Sequence, residues 1–361
     1  MTSNPLRRLG AFGQSVWIDF IERGMLDEGG ELARLISDDG VSGVTTNPSI
    51  FDKALAGGDA YAQERGRLAA GGASPAQIVD VLMRQDVARA ADLLRPVYER
   101  TEGCDGFVSL EVSPQLAHDT AGTVAAARAA WAALDRPNAM IKVPATVAGV
   151  AAIRELIGAG VNINATLLFS VPRYVEVARA FRDGLAARAG TGQPIAHIAS
   201  VASFFLSRID SLVDARLPAG DALRGTTAIA CARLAYREFQ RWTAAPDWLA
   251  LAARGAQPQR LLWASTSTKN PAYSDVLYVE ALIGPQTVNT LPRETLDAYR
   301  DHGDPASRLT EDSDAAEATV QGLRALGIDP DAVAAELEAD GVRKFAESEQ
   351  ALLRRIASSA H

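Results

Sequence analysis

Short apolar runs of strand character alternate along the chain with longer segments in which apolar residues recur every three or four positions. The runs are Val16–Phe20, Gly43–Asn47, Gly106–Val112, Ala139–Pro144, Val161–Phe169, Ile198–Phe204, Arg260–Thr266 and Thr287–Leu291. Short strands separated by helical segments read as parallel βα units. Eight such units point to a closed α/β barrel, although an open doubly wound sheet has the same alternation. No Gly-x-Gly-x-x-Gly follows the first run, which weakens the dinucleotide-binding version of the open sheet.

Several helices carry start signals. Ser74-Pro75 supplies an N-cap and a proline at the first helical position, with Ile78, Val81 and Leu82 on one face. Ser170-Val171-Pro172 opens another, whose apolar stripe runs through Val171, Tyr174, Val175, Ala178, Phe181 and Leu185 and stops before Gly190. Ala228–Trp242 reads likewise, which makes Cys231 a small core residue and not a reactive thiol. Two stretches exceed a minimal barrel: residues 51–104 hold more than one helix, and residues 293–361 are helical, alanine-rich and charged. Gly71-Gly72 and Asp301–Pro305 are turns, not domain boundaries. The added helices either cover one end of the barrel or form an oligomer contact, and the pattern does not choose.

Composition narrows the function classes. With 361 residues, 48% hydrophobic and 22% charged, the chain has the make-up of a soluble globular protein with a large core. A formal net charge of -8 argues against nucleic-acid binding, while leaving room for a local basic pocket that takes a small phosphate. Cys104 and Cys231 are the only cysteines, too few for a disulfide framework, which suggests a reducing compartment. The first residues, through Arg7-Arg8, lack the apolar stretch of a signal peptide, and no run approaches membrane-spanning length, so a cytoplasmic protein without a membrane partner is expected. The four histidines, His118, His197, His302 and His361, are scattered, which disfavours a three-histidine zinc site. No metal and no cofactor is expected.

Within this frame Lys142 stands out, an ammonium in the apolar run Asn138–Thr146. Lysine is rarely fully buried without a partner, and desolvation favours its neutral, nucleophilic form. It is therefore a candidate for an imine with a ketone or aldehyde; the alternative is a lysine at a strand end whose head group reaches solvent or a carboxylate. If the barrel is right, chemistry belongs at the carboxyl ends of the strands. Asp19, Asn47, Glu111 and Lys142 end the first four runs; Asn164 and Thr166, then Ser200 and Ser203, then the loop Ser265–Asn270 follow. Each alone has a structural explanation as a cap, turn or ion-pair residue. Together they supply what an imine enzyme needs: Glu111 to shuttle protons through the carbinolamine, Asp19 as the base for the hydroxyl beside the cleaved bond, and Asn47, Asn164 and Ser203 for the hydroxyls of a polyol.

The segments Val44-Thr-Thr-Asn-Pro-Ser-Ile-Phe51, Ser109-Leu-Glu-Val-Ser113, Met140-Ile-Lys-Val-Pro-Ala-Thr146 and Asn162-Ile-Asn-Ala-Thr-Leu-Leu-Phe-Ser170, together with Asp19, strongly resemble transaldolase, the Schiff-base sugar-phosphate transferase family of the pentose phosphate pathway. The matches recur in order from Val16 to about Leu291, and Trp263–Pro271 is similar to the long bacterial and plant branch. With the pattern above, the expected fold is one α/β domain over residues 1–361. It comprises a (β/α)8 TIM barrel at about 14–292, additional helices after the second strand, and a C-terminal helical extension at about 293–361.

The resemblance implies that Lys142 attacks the carbonyl of fructose 6-phosphate or sedoheptulose 7-phosphate, with Glu111 and Thr166 assisting imine formation through a water. Asp19 then deprotonates the C4 hydroxyl. The dihydroxyacetone unit stays on Lys142, held by Asn47 and Asn164 with Ser203 lining the pocket, until erythrose 4-phosphate or glyceraldehyde 3-phosphate accepts it. The phosphate falls to Arg208 and to Lys269 with Ser267. Many relatives carry arginine where this chain has Lys269, and lysine offers a point charge where arginine grips in two places. Arg208 could instead pair with Asp210 or Asp214, and Arg173 reads as an exposed helix residue. The implied partners are small sugar phosphates, with the protein a monomer or homodimer. The nearest rival is a fructose 6-phosphate aldolase; Glu111 and Phe205 favour transaldolase, because the resembling aldolases tend to carry Gln and Tyr there. A non-catalytic sugar-phosphate-binding barrel and a pyridoxal phosphate enzyme are the rivals from other classes.

Overall fold

Eight parallel strands, β1 (Gln14–Ile18), β2 (Val41–Val44), β3 (Phe107–Glu111), β4 (Ala139–Pro144), β5 (Ile163–Leu168), β6 (Ser200–Phe205), β7 (Arg260–Ala264) and β8 (Thr287–Leu291), close in sequence order into a barrel, a (β/α)8 TIM barrel. The computed structural model describes residues 4–56, 59–311 and 313–358, so His361 and the last residues of the expected C-terminal extension lie outside it. Every residue of β3, β4, β5, β6 and β8 is buried, because helices cover the outer face of each strand while side chains fill the interior. That two-sided burial explains why these strands read as continuous apolar runs and not as alternation. Inside the barrel, Gly43 on β2 lacks the side chain that would collide with Trp17 on β1: a Cβ there would fall 2.4 Å from the indole ring.

The observed strands are shorter than several of the sequence runs. β1 stops at Ile18 and β2 at Val44, so Asp19 and Asn47 lie just past the ladder. Asn47 turns the chain into the helix Pro48–Ala56 by accepting a hydrogen bond from Ile50 N at 3.0 Å. Residues 51–104 hold the rest of that helix together with Ala62–Ala70 and Pro75–Arg100, the last opened by a reciprocal Ser74–Gln77 capping box. Its buried stripe is Ile78, Val79 and Leu82, with Val81 only half-buried, one position from the expected face. In the helix Val171–Gly190, Val177 is buried in place of the half-buried Val175. Cys231 is buried in Thr227–Thr243, and burial pushes its thiol up to about 12.

Beyond β8 the chain forms helices Arg293–His302, Ser313–Ala325 and Pro330–Ser358. The last packs against Pro48–Ala56, Pro75–Arg100, Ser207–Asp214 and β5, and so crosses the carboxyl end of the barrel. Ser49 Oγ donates to Ser348 Oγ at 2.7 Å, Ser113 Oγ to Glu349 Oε2 at 2.9 Å, and Arg355 pairs with Asp52 at 2.9 Å. The C-terminal extension thus covers an end of the barrel, one of the two roles left open by its sequence. Arg173 belongs to the same seam. It is half-buried between Glu176 at 2.5 Å and Glu338 of the last helix at 3.4 Å, and the expectation of an exposed residue is corrected because this helix docks over it. Among the described residues no helix is long and apolar enough to cross a membrane.

Candidate active site

Parallel register places three of the singled-out residues side by side. Glu111 on β3 is paired with Lys142 on β4, and Lys142 with Asn164 on β5. Residues in register on neighbouring strands point to the same face, here the barrel interior. Lys142 is 4% exposed, with Nζ donating to Thr46 O at 3.1 Å and lying 3.3 Å from Glu111 Oε2. Its head group therefore pairs with a carboxylate at the top of the barrel and does not reach bulk solvent.

The pocket above Lys142 has a volume of about 440 Å³, within the range typical of small-molecule sites. Asp19, Asn47, Lys142, Thr166, Ser203, Arg208, Ser267 and Lys269 all line it. Glu111 and Asn164 do not form its wall. Glu111 stands behind Lys142, and the Asn164 amide is held between two hydroxyls, donating to Ser109 Oγ at 3.0 Å and accepting from Ser203 Oγ at 2.6 Å. Thr166 is fully buried, and its hydroxyl has no hydrogen-bond partner among the described residues. Beside it β5 is irregular: its register to β6 shifts between Ala165 and Leu168, and Leu167 adopts φ 60. Such bulges re-aim side chains at barrel rims.

The ionisable groups are strongly perturbed. Burial pushes the Glu111 carboxyl up to about 7, with the Lys142 charge opposing and the Asp19 charge adding. Burial also raises Asp19, against the Lys142 charge and a hydrogen bond from Thr45 Oγ1 at 2.8 Å. Part of Asp19 remains open to the pocket, so this shift comes from the protein packed around its carboxyl. Two carboxyls whose charged forms burial disfavours, set beside a buried amine, form an arrangement suited to moving protons.

Cations gather on the β6–β7 side. Burial lowers the Arg208 pKa, and Nη1 has no hydrogen-bond partner among the described residues. The alternative pairing with Asp210 or Asp214 is not formed. Asp210 accepts from Ala228 N and Tyr278 OH, both at 2.8 Å, and Asp214 from Gly225 N at 3.0 Å and Tyr273 OH at 2.7 Å. Lys269 Nζ donates to Ser267 Oγ at 2.5 Å. Among the described residues no group of three or more His, Cys, Asp or Glu side chains is arranged to hold a metal.

Sequence reasoning missed several lining residues. Thr45, which joins Asp19 to Thr290 through hydroxyl contacts of 2.8 Å each, lay inside a quoted motif and was legible as a hydroxyl two positions before Asn47. Lys53 and Arg293 bring further charge to the mouth. Phe345, from the last helix, had no local signal at all.

The family model described as transaldolase/fructose-6-phosphate aldolase matches residues 16–356. Among curated proteins, one named transaldolase from Thiobacillus denitrificans is 48% identical over 358 residues, 98% of this chain and 99% of that one. A transaldolase from Acidothermus cellulolyticus is 49% identical over 351 residues, covering 95% of this chain and 93% of its own. Another from Neisseria gonorrhoeae is 48% identical over 343 residues, 95% and 97% of the two chains.

Proposed function

The chain belongs to the transaldolase family, and from that premise we propose that it transfers a dihydroxyacetone unit between sugar phosphates through an imine on Lys142. The donor is fructose 6-phosphate or sedoheptulose 7-phosphate, the acceptor glyceraldehyde 3-phosphate or erythrose 4-phosphate. The protein acts in the cytoplasm, in the non-oxidative pentose phosphate pathway, as one domain and as a monomer or homodimer. The observation that carries this reading is a buried lysine amine 3.3 Å from a buried carboxyl, at the floor of a pocket with cations on one side.

The neutral amine of Lys142 adds to the ketose C2. Glu111, with the free hydroxyl of Thr166, moves the protons that turn the carbinolamine into an iminium and water. Asp19 then takes the C4 hydroxyl proton. The C3–C4 bond breaks, its electron pair flows into the iminium to give an enamine, and the aldose phosphate leaves. The acceptor aldehyde reverses these steps, and water finally releases the new ketose. Asn47, Asn164 and Ser203 serve the hydroxyls; Asn164 does so by exchanging one of its present hydrogen bonds for one to substrate. Arg208, Ser267 and Lys269 hold the phosphate, Arg208 by its planar fork and Lys269 as a point charge. Phe205 lines the pocket without a hydroxyl, so it offers no proton to quench the enamine. That favours transfer over simple aldol cleavage.

Borohydride reduction in the presence of fructose 6-phosphate, followed by peptide mass mapping, tests the assignment. A reduced three-carbon adduct on Lys142 is expected. A label on any other lysine, or transfer activity retained by Lys142→Ala, refutes it.

A further inference from the structure

Arg208 is held in an unusual way for a half-buried cation. No carboxylate clamps it among the described residues. Asp210 and Asp214 are occupied elsewhere, and Asp340 on the last helix is engaged by Lys344 at 2.6 Å. Instead, the guanidinium carbon lies 5.4 Å from the ring centroid of Phe205 and 5.9 Å from that of Phe345. Aromatic faces attract a planar cation without using its N–H donors. A carboxylate clamp would hold the group as firmly, yet would consume the donors and the charge that a phosphate needs.

The last helix is built to deliver this ring. Gly341 lies one turn before Phe345 on the same helix face. A Cβ at Gly341 would stand 3.0 Å from Leu167 Cδ2 and 3.7 Å from Arg208 Nη1, so the glycine lets the helix seat closely over β5. One turn further on, the Ser348 and Glu349 hydrogen bonds to Ser49 and Ser113 fix the helix rotation. Phe345 is thereby 4% exposed, and its ring centroid is also 5.7 Å from Lys142 Nζ.

We propose that Phe345 is a positioning residue: its ring, with that of Phe205, holds the Arg208 guanidinium with its donors free for the phosphate of the substrate. This rests on the reading of Arg208 as a phosphate-binding group. It makes the C-terminal helix a determinant of preference for phosphorylated over unphosphorylated substrates.

The test measures binding of glucitol 6-phosphate, which has no carbonyl and forms no imine, by calorimetry. Phe345→Leu, which keeps the apolar bulk and removes the ring, is expected to weaken binding by about 5- to 30-fold, the span from a well-formed exposed cation–π contact to a desolvated one. Phe345→Tyr should restore wild-type affinity, and in an Arg208→Ala background Phe345→Leu should add nothing. Formation of a borohydride-trapped dihydroxyacetone adduct on Lys142 of the Leu variant, whatever its rate, checks that the pocket is intact. Wild-type affinity in the Leu variant, no restoration by Tyr, or a further loss on top of Arg208→Ala overturns the proposal. A missing adduct in the wild-type protein would instead overturn the imine mechanism, and the glucitol 6-phosphate titration would still decide the role of Phe345.

Discussion

Glu111→Gln tests proton transfer directly, because the amide keeps the shape of the carboxyl and cannot act as an acid near neutrality. In the folded protein burial lifts Glu111 from its ordinary 4.5 to about 7. At about 1.36 kcal/mol for each pH unit, the environment thus disfavours the ionised form by ~3 kcal/mol. A carboxyl so poised is half-protonated at pH 7, where a general acid is most effective. The assay is loss of oxygen-18 from carbonyl-labelled dihydroxyacetone, which reports carbinolamine and imine formation without carbon–carbon cleavage. The wild-type rate should show an inflection near pH 7, falling above it as the acid form is lost. Glu111→Gln should lack that inflection and exchange ~10²- to 10⁴-fold more slowly at pH 7, the usual worth of a positioned acid–base group. An inflection that persists near 7 in the variant, or a loss smaller than about tenfold, would refute the assignment, because the proton would then be travelling by another route.

Asp19→Ala should still form the borohydride-trapped dihydroxyacetone adduct on Lys142 while cleavage of fructose 6-phosphate falls ~10²- to 10⁴-fold; unchanged cleavage removes Asp19 from its role. Thr45→Val deletes the hydroxyl whose hydrogen bond lowers the Asp19 pKa. The acid limb of the cleavage profile should then move to higher pH, while oxygen-18 exchange with dihydroxyacetone stays as in wild type; a limb that does not move shows that Asp19 does not set it. Gly43→Ala drives a methyl to 2.4 Å from the Trp17 ring and should cost ~1–3 kcal/mol or more by overpacking, read as a lowered thermal midpoint. An unaltered midpoint would mean that β1 and β2 can spread at that point.

Much of the architecture was legible because it depends on local periodicity. The run Ala139–Pro144 is β4 and Thr287–Leu291 is β8, bound for bound. The runs through Asp19 and Asn47 overshot, since the residues after Ile18 and Val44 carry no local signal of where the strand stops, and Asp19 N and Thr45 N still donate to the neighbouring strands. Polar residues at strand ends were equally legible as a set, since a barrel must gather its strand ends at one rim. The set alone did not distinguish Asn47, which lines the cavity, from Asn164, whose amide is locked between Ser109 and Ser203.

By itself, then, the amino-acid sequence determined an eightfold alternation of strand and helix, a lysine in an apolar strand and the polar company at the strand ends. All of these are properties of residues close together along the chain. Only the tertiary structure decided that Glu111 stands 3.3 Å from Lys142, that Arg208 rests between two phenyl rings and not against Asp210 or Asp214, and that the C-terminal helix brings Phe345 into the pocket. The physical reason lies in how packing is specified. Periodicity states which face of an element is apolar, but which distant face it meets depends on shape complementarity summed over many small contacts. That sum exists only once the whole barrel has closed.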